Sequence, residues 1–217
     1  MRHEVVEQLI SHKLIVIIRV KDPSDIEGIV QCMSDAGVLA VEVTSNTPGY
    51  EMAITQLRQQ FPHMLIGAGT VTDHRIAKRA IKAGAQFLVT PNTNEAIVRH
   101  AHALDVPVVM GAMTPTDIVD ASQFNADIIK LFPAGPMGAN YLQALAQGPF
   151  LDTYFFPVGG IDASNIDAWF DSGASGVGIG GSLAQPVYSP QQAEQLTRNV
   201  SEIVAKINAK ELTRKAS

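Results

Sequence analysis

The sequence predicts an α/β protein: a (β/α)8 TIM barrel with an extra N-terminal helix, occupying residues 1–217 as one domain. Three observations predict it. Short apolar runs alternate with longer amphipathic stretches about eight times over. The runs are apolar at successive positions, as parallel strands covered on both faces require. The joints "AGV", "AGA" and "SGASG" place glycine between a helix and the next strand, where a left-handed turn stops a helix. No linker or low-complexity segment divides the chain, and eight such units in this length fit a compact barrel. An open doubly wound sheet is the competing arrangement. It usually carries a glycine-rich fingerprint after its first strand, and "IIRVKDPS" is not one.

The elements follow in order. "MRHEVVEQLISHK" reads as a charged, amphipathic helix. "LIVIIR" (14–19) is a strand, followed by a helix over 23–36 that opens on Pro23 and stops at Gly37. "LAVEV" (39–43) leads to a helix over 48–60, and "MLIGAG" (64–69) to one over 73–83 that begins at Asp73 and stops at Gly84. "QFLVT" (86–90) leads to 94–104, and "PVVMGA" (107–112) to 116–124. "DIIKLF" (127–132) leads to 139–146, "TYFFPV" (153–158) to 164–172, and "GVGIG" (176–180) to a long final helix over 190–212.

Composition narrows the function. The chain is 46% hydrophobic with a formal net charge of -5 and carries no arginine-rich run, which argues against nucleic acid as a partner. An anionic small molecule stays open, because a local site can be positive on a mildly acidic protein. The single cysteine, Cys32, cannot form a disulfide within the chain and is expected as a small buried hydrophobe. The N-terminal stretch lacks the apolar core of a signal peptide, and no window is apolar for long enough to span a membrane. A cytoplasmic protein without membrane contact is expected. The six histidines show no metal-ligand spacing; His100 and His102 are expected on a helix surface.

In such a barrel the active site lies at the C-terminal strand ends. Arg19, Glu42, Thr70 and Lys130 are delivered there, together with the pairs Gly159–Gly160 and Gly180–Gly181 and the following Ser182. Lys130 and Glu42 lie within strands, so alternation decides where they point. Outward they would enter a dry apolar layer, where an unpaired charge costs several kcal/mol or more. Both are therefore expected inside, near the mouth. Burial favours a neutral lysine amine, whereas a neighbouring carboxylate favours the ammonium, and the sequence leaves that contest open. A neutral amine can attack a ketone to give an iminium, with Glu42 moving protons. A plain internal ion pair between the two is the structural alternative. The successive glycine pairs suit an anion cradle of backbone N–H groups, the usual phosphate position after strands seven and eight. Arg19 reads as an anion clamp or as a surface cation. "GAGT" reads as a carboxylate site using Thr70 or as a tight turn.

Taken together, "IIRV", "VEVT", "GAGTV", "VTPN", "IIKLFP", "FPVGGI" and "GIGGSL" resemble, in order and over nearly the whole chain, the motifs of the 2-keto-3-deoxy-6-phosphogluconate / 4-hydroxy-2-oxoglutarate aldolases. The resemblance implies a class I aldolase, homotrimeric, without metal or other cofactor. Such an enzyme cleaves a 2-keto-3-deoxy sugar acid to pyruvate and an aldehyde. By motif, Lys130 is similar to the Schiff-base lysine and Glu42 to the general acid/base. Arg19 and Thr70 match positions lining the substrate site, and Pro91 and Phe132 match apolar walls. Gly159, Gly160, Gly181 and Ser182 match the phosphate pocket. Two positions depart from the phosphogluconate pattern. Asn46 stands where "EVTLRT" has arginine, and Val158 stands where threonine precedes the glycine pair. Both resemble the branch acting on the galactonate epimer. The rival functions are a phosphosugar isomerase or epimerase on the same barrel and a non-catalytic phosphosugar-binding protein.

Overall fold

The computed structural model describes residues 2–215. In chain order the elements are α1 (Arg2–His12), β1 (Leu14–Ile18), α2 (Asp25–Asp35), β2 (Ala40–Thr44), α3 (Tyr50–Gln60) and β3 (Leu65–Gly69). They continue with α4 (His74–Lys82), β4 (Leu88–Val89), α5 (Glu95–His102), β5 (Val108–Ala112), α6 (Pro115–Gln123) and β6 (Ile128–Leu131). The last are α7 (Ala139–Ala146), β7 (Phe155–Pro157), α8 (Ile166–Asp171), β8 (Val177–Ile179) and α9 (Pro190–Lys215). Every expected strand is present within two residues of its anticipated ends. The strands are all parallel in the order β7-β6-β5-β4-β3-β2-β1-β8. A bridge between Val158 and Gly178 joins the two outer strands and closes the barrel.

Local chemistry explains the boundaries. The Asp73 carboxylate accepts from the N–H groups of Arg75 and Ile76 at 2.7 and 2.9 Å, satisfying donors that the first turn of α4 leaves free. Thr114 and Asp117 form a reciprocal capping box at α6, with Pro115 in the first turn. Gly84 and Gly173 both take φ 103° just after α4 and α8, a left-handed turn that a side chain would resist.

Two apolar layers result. The larger lies between sheet and helices and holds Val16, Ile18, Val41, Val43, Ile66 and their helical partners. There α9 packs on α2, and Cys32, 3% exposed, takes its expected buried place. The smaller lies inside the barrel and holds the alternate strand residues, among them Ile15, Ala40, Leu65, Phe87, Ile128 and Phe156. Val5 and Leu9 of α1 join this inner set, so the N-terminal helix closes the barrel floor. The inner set fixes the parity. Ala40 shares its strand face with Glu42, and Ile128 shares its face with Lys130, so both ionisable residues point inward.

The two helix histidines are not simple surface residues. His102 is 16% exposed, and its Nε2 lies 2.8 Å from Asp127 Oδ2. Asp127 also accepts from the Val108 N–H at 2.8 Å and pairs with Arg2 Nε at 3.4 Å. His100 is partly buried, with Nε2 enclosed. The strand-entry end of the barrel therefore carries its own polar network, which ties α1 to β5 and β6. Among the described residues no helix is long and apolar enough to cross a membrane.

Candidate active site

A cavity of about 780 Å³ opens at the C-terminal ends of the strands. Its walls include Arg19, Glu42, Asn46, Thr70, Pro91, Lys130, Phe132, Val158, Gly159, Gly160 and Gly181. All of these were expected from the sequence. Ser182 lies in a short 3-10 turn, Gly181–Leu183, but its side chain is outside the described ones. Four wall residues were not anticipated: Ile17, Ile161, Asp162 and Gly178. Two of them were within reach of alternation, because Ile17 stands two residues before Arg19 and Gly178 two before Gly180.

Lys130 is 5% exposed and Glu42 2%, yet both border this cavity. Missing side chains make their space. At Gly69, opposite Thr44 in the β2–β3 register, a Cβ would collide with Oε1 of Glu42. At Gly111, paired with Lys130, a Cβ would enter the Pro91 backbone. That close approach is clamped from both sides. The Gly111 N–H donates to Thr90 Oγ1 at 2.9 Å, and Thr93 Oγ1 donates to the Gly111 carbonyl at 2.9 Å. Pro91 is thereby fixed against the wall beside Lys130. Phe132, two residues along the same face, holds its ring centroid 4.9 Å from the Lys130 Nζ.

Burial decides the contest that the sequence left open. It pushes the Lys130 amine below the ordinary lysine value; Glu42 opposes the shift and the Arg19 guanidinium adds to it. Burial likewise pushes the Glu42 carboxyl above the ordinary range, against the attraction of Lys130 and Arg19. Each group is driven toward its neutral form, because desolvation exceeds what the partner charge returns. No ion pair within 4.0 Å joins Lys130 to Glu42 among the described residues, so a direct structural salt bridge is not their arrangement. The two still interact through space, each opposing the other's burial-driven shift.

The rest of the cavity is polarised around this pair. On one side Arg19 Nη2 donates to Thr70 Oγ1 at 3.3 Å. Arg19 lies just beyond β1 and is exposed at the mouth of the cavity. On the other side Gly159, Gly160 and Gly181 have φ of 95°, 78° and 56°. Among the described residues the N–H groups of Gly160 and Gly181 donate to no backbone carbonyl. Asp162, which borders this end, is turned back on its own loop. Its carboxylate accepts from the Ser164 N–H at 2.8 Å and from Ser164 Oγ at 2.5 Å, while Asn165 Nδ2 donates to the Gly160 carbonyl at 2.8 Å. Free backbone donors beside an occupied acid suit an anion. One cavity thus offers an amine and a carboxyl that burial biases toward their neutral forms, a guanidinium and a group of backbone amides.

Known proteins share the whole framework. The family model for KDPG and KHG aldolase matches residues 5–198. The 2-dehydro-3-deoxy-6-phosphogalactonate aldolase of Escherichia coli (strain K12) is 32% identical over 183 residues, 84% of this chain and 89% of that one. The 2-dehydro-3-deoxy-phosphogluconate aldolase of Pseudomonas aeruginosa is 34% identical over 154 residues, 71% of this chain and 70% of that one. A solved structure of native KDPGal superposes with a TM-score of 0.82 at 30% identity, covering 90% of this chain and 94% of that one. The chain belongs to the KDPG and KHG aldolase family.

Proposed function

We propose that the protein is a class I aldolase that reversibly cleaves a 2-keto-3-deoxy-6-phospho sugar acid to pyruvate and glyceraldehyde 3-phosphate. The observation that carries this reading is the Lys130–Glu42 pair, an amine and a carboxyl on one cavity wall, both pushed by burial toward their neutral forms. The neutral amine adds to the C2 ketone, and the carboxyl supplies the proton with which the carbinolamine hydroxyl leaves as water. That step converts a neutral pair into an iminium and a carboxylate without changing the net charge of the pocket. The carboxylate, directly or through a water, then removes the C4 hydroxyl proton. The C3–C4 electrons move onto C3 and into the iminium, giving an enamine and releasing the aldehyde. Reprotonation at C3 and hydrolysis release pyruvate and restore the amine.

The remaining wall supplies position. Arg19 and Thr70 receive the keto-acid carboxylate, and Pro91 and Phe132 pack against the pyruvate carbons. Gly159, Gly160 and Gly181, with Ser182 beside them, receive the phosphate through backbone N–H groups. Asn46 and Val158 both border the cavity and bring neither a cation nor a hydroxyl to the sugar chain. On that basis the galactonate epimer is the preferred substrate, and 4-hydroxy-2-oxoglutarate, giving pyruvate and glyoxylate, is a further one. The enzyme acts as a cytoplasmic homotrimer, the state that its resemblance to the family implies.

Borohydride added with pyruvate is expected to leave a stable mass on Lys130, and a lactate-dehydrogenase-coupled assay to report pyruvate from the keto-deoxy acids. An isomerase or epimerase would give neither signal. A binding protein would be stabilised by phosphosugars without turning any of them over. The same assay on both epimers tests the sugar preference, and analytical ultracentrifugation tests the trimer.

A further inference from the structure

Thr70 is the unusual residue of the cavity wall. Its φ is 56°, in the left-handed region that β-branched side chains avoid. Rotations on either side of its Cα define that conformation, so the two flanking peptide planes must be held. The plane before it is held through the Gly69 carbonyl, which accepts from the Ser45 N–H at 2.8 Å. The plane after it is held through the Thr70 carbonyl, which accepts from Ser45 Oγ at 2.7 Å, and through the Val71 N–H, which donates to Val89 at 3.1 Å. One residue, Ser45, therefore grips both carbonyls that flank the strained centre. Ser45 is itself fixed by its neighbours. Thr44 and Thr47 are buried with their hydroxyls 3.0 Å apart, and the Thr47 N–H donates to the Thr44 carbonyl at 2.9 Å. The conformation so held puts Thr70 Oγ1 against Arg19 Nη2 on the wall shared with Lys130.

We propose that Ser45 is a positioning residue. Its hydroxyl keeps Thr70 left-handed and so aims the Thr70 hydroxyl and N–H, together with Arg19, at the carboxylate of the keto acid joined to Lys130. The proposal rests on the aldolase reading and adds to it a residue that stands behind the cavity wall. A glycine would take this backbone conformation without help; a threonine needs a holder.

The test is the pyruvate concentration that half-saturates borohydride trapping, compared with the KM for the aldehyde in the condensation direction. Ser45→Ala is expected to raise the pyruvate value about five- to tenfold, the loss of one well-placed hydrogen bond, while the aldehyde KM stays within about twofold. Ser45→Thr, which keeps the hydroxyl, is expected to return the pyruvate value to within about twofold of the wild type. Thr70→Ala separates this inference from the reading beneath it. If that variant leaves the pyruvate value unchanged, the carboxylate role of Thr70 is wrong and both fall. If Thr70→Ala shifts it and Ser45→Ala does not, the Ser45 proposal alone is overturned, even where Ser45→Ala lowers Tm. Should Ser45→Ala fail to fold, Ser45→Cys, close in shape but a weak donor, carries the same comparison.

Discussion

The floor and the mouth of the barrel interior are built from the same alternate strand positions and put to opposite uses. At the floor, Ile15, Leu65, Phe87, Ile128 and Phe156 meet Val5 and Leu9 of the N-terminal helix in one buried apolar cluster. At the mouth the corresponding positions hold Glu42, Lys130, Gly69, Gly111, Gly178 and Gly180, and a cavity opens. Glycine serves both ends differently. Gly67 and Gly176 give way to the Phe87 and Phe156 rings, whereas Gly69 gives way to a carboxylate. The floor uses its volume for stability; the mouth keeps it open and shifts two ionisable groups away from their ordinary pKa values, Lys130 down and Glu42 up.

Substitutions at the mouth should remove activity before stability. Lys130→Met is expected to lower kcat at least about 10⁴-fold and to abolish the borohydride adduct, read by intact mass. Glu42→Gln should lower kcat about 10²- to 10⁴-fold while pyruvate can still be trapped on Lys130, since the amine remains and only proton transfer is lost. Gly69→Ala drives a methyl into the Glu42 carboxyl and should cost about 10²-fold in kcat through misplacement alone. Adducts that persist in Glu42→Gln but vanish in Lys130→Met would assign the two roles separately.

The floor should behave in the reverse way. Leu9→Ala, at a fully buried position of the inner cluster, is expected to lose about 2–5 kcal/mol of stability in urea unfolding. Its kcat/KM should stay within about twofold, because the site is remote and shares no partner with it. A large kinetic effect there would break the division between the two ends.

The smallest expected effect concerns pH. Glu42 has a folded pKa above its unfolded value near 4.5, so stability falls as pH rises from there through the folded value. Lys130 has a folded pKa below its unfolded value near 10.5, so stability falls as pH drops from there through the folded value. Between those windows the fold carries both penalties. Replacing the pair by apolar residues, Lys130→Met with Glu42→Leu, should stabilise the inactive protein by about 1–4 kcal/mol near neutral pH. The gain should shrink toward both extremes, as measured by Tm across pH. A double variant less stable than the wild type at neutral pH would mean that the pair contributes to holding the barrel together.

How far the sequence reached differs between residues. Lys130 and Glu42 were legible because a charge inside an apolar strand contradicts its surroundings, and the contradiction points to a function. The glycine pairs were legible because they repeat at successive strand ends. Ile17 and Ile161 were not, because an isoleucine in an apolar strand or beside a glycine turn looks the same whether it faces a core or a substrate. The His102–Asp127–Arg2 network was missed because its members are far apart in the chain and only barrel closure brings them together.

Element order, the inward parity of the strands and the placement of Lys130 and Glu42 on the inner face are consequences of local period and of where the chain places charge, and the sequence alone determined them. The protonation bias of that pair, the floor made by α1 and the hold of Ser45 on Thr70 were decided only by the tertiary structure. Burial, distance and backbone strain are sums over atoms that the chain brings together from remote positions, and no stretch of residues contains them.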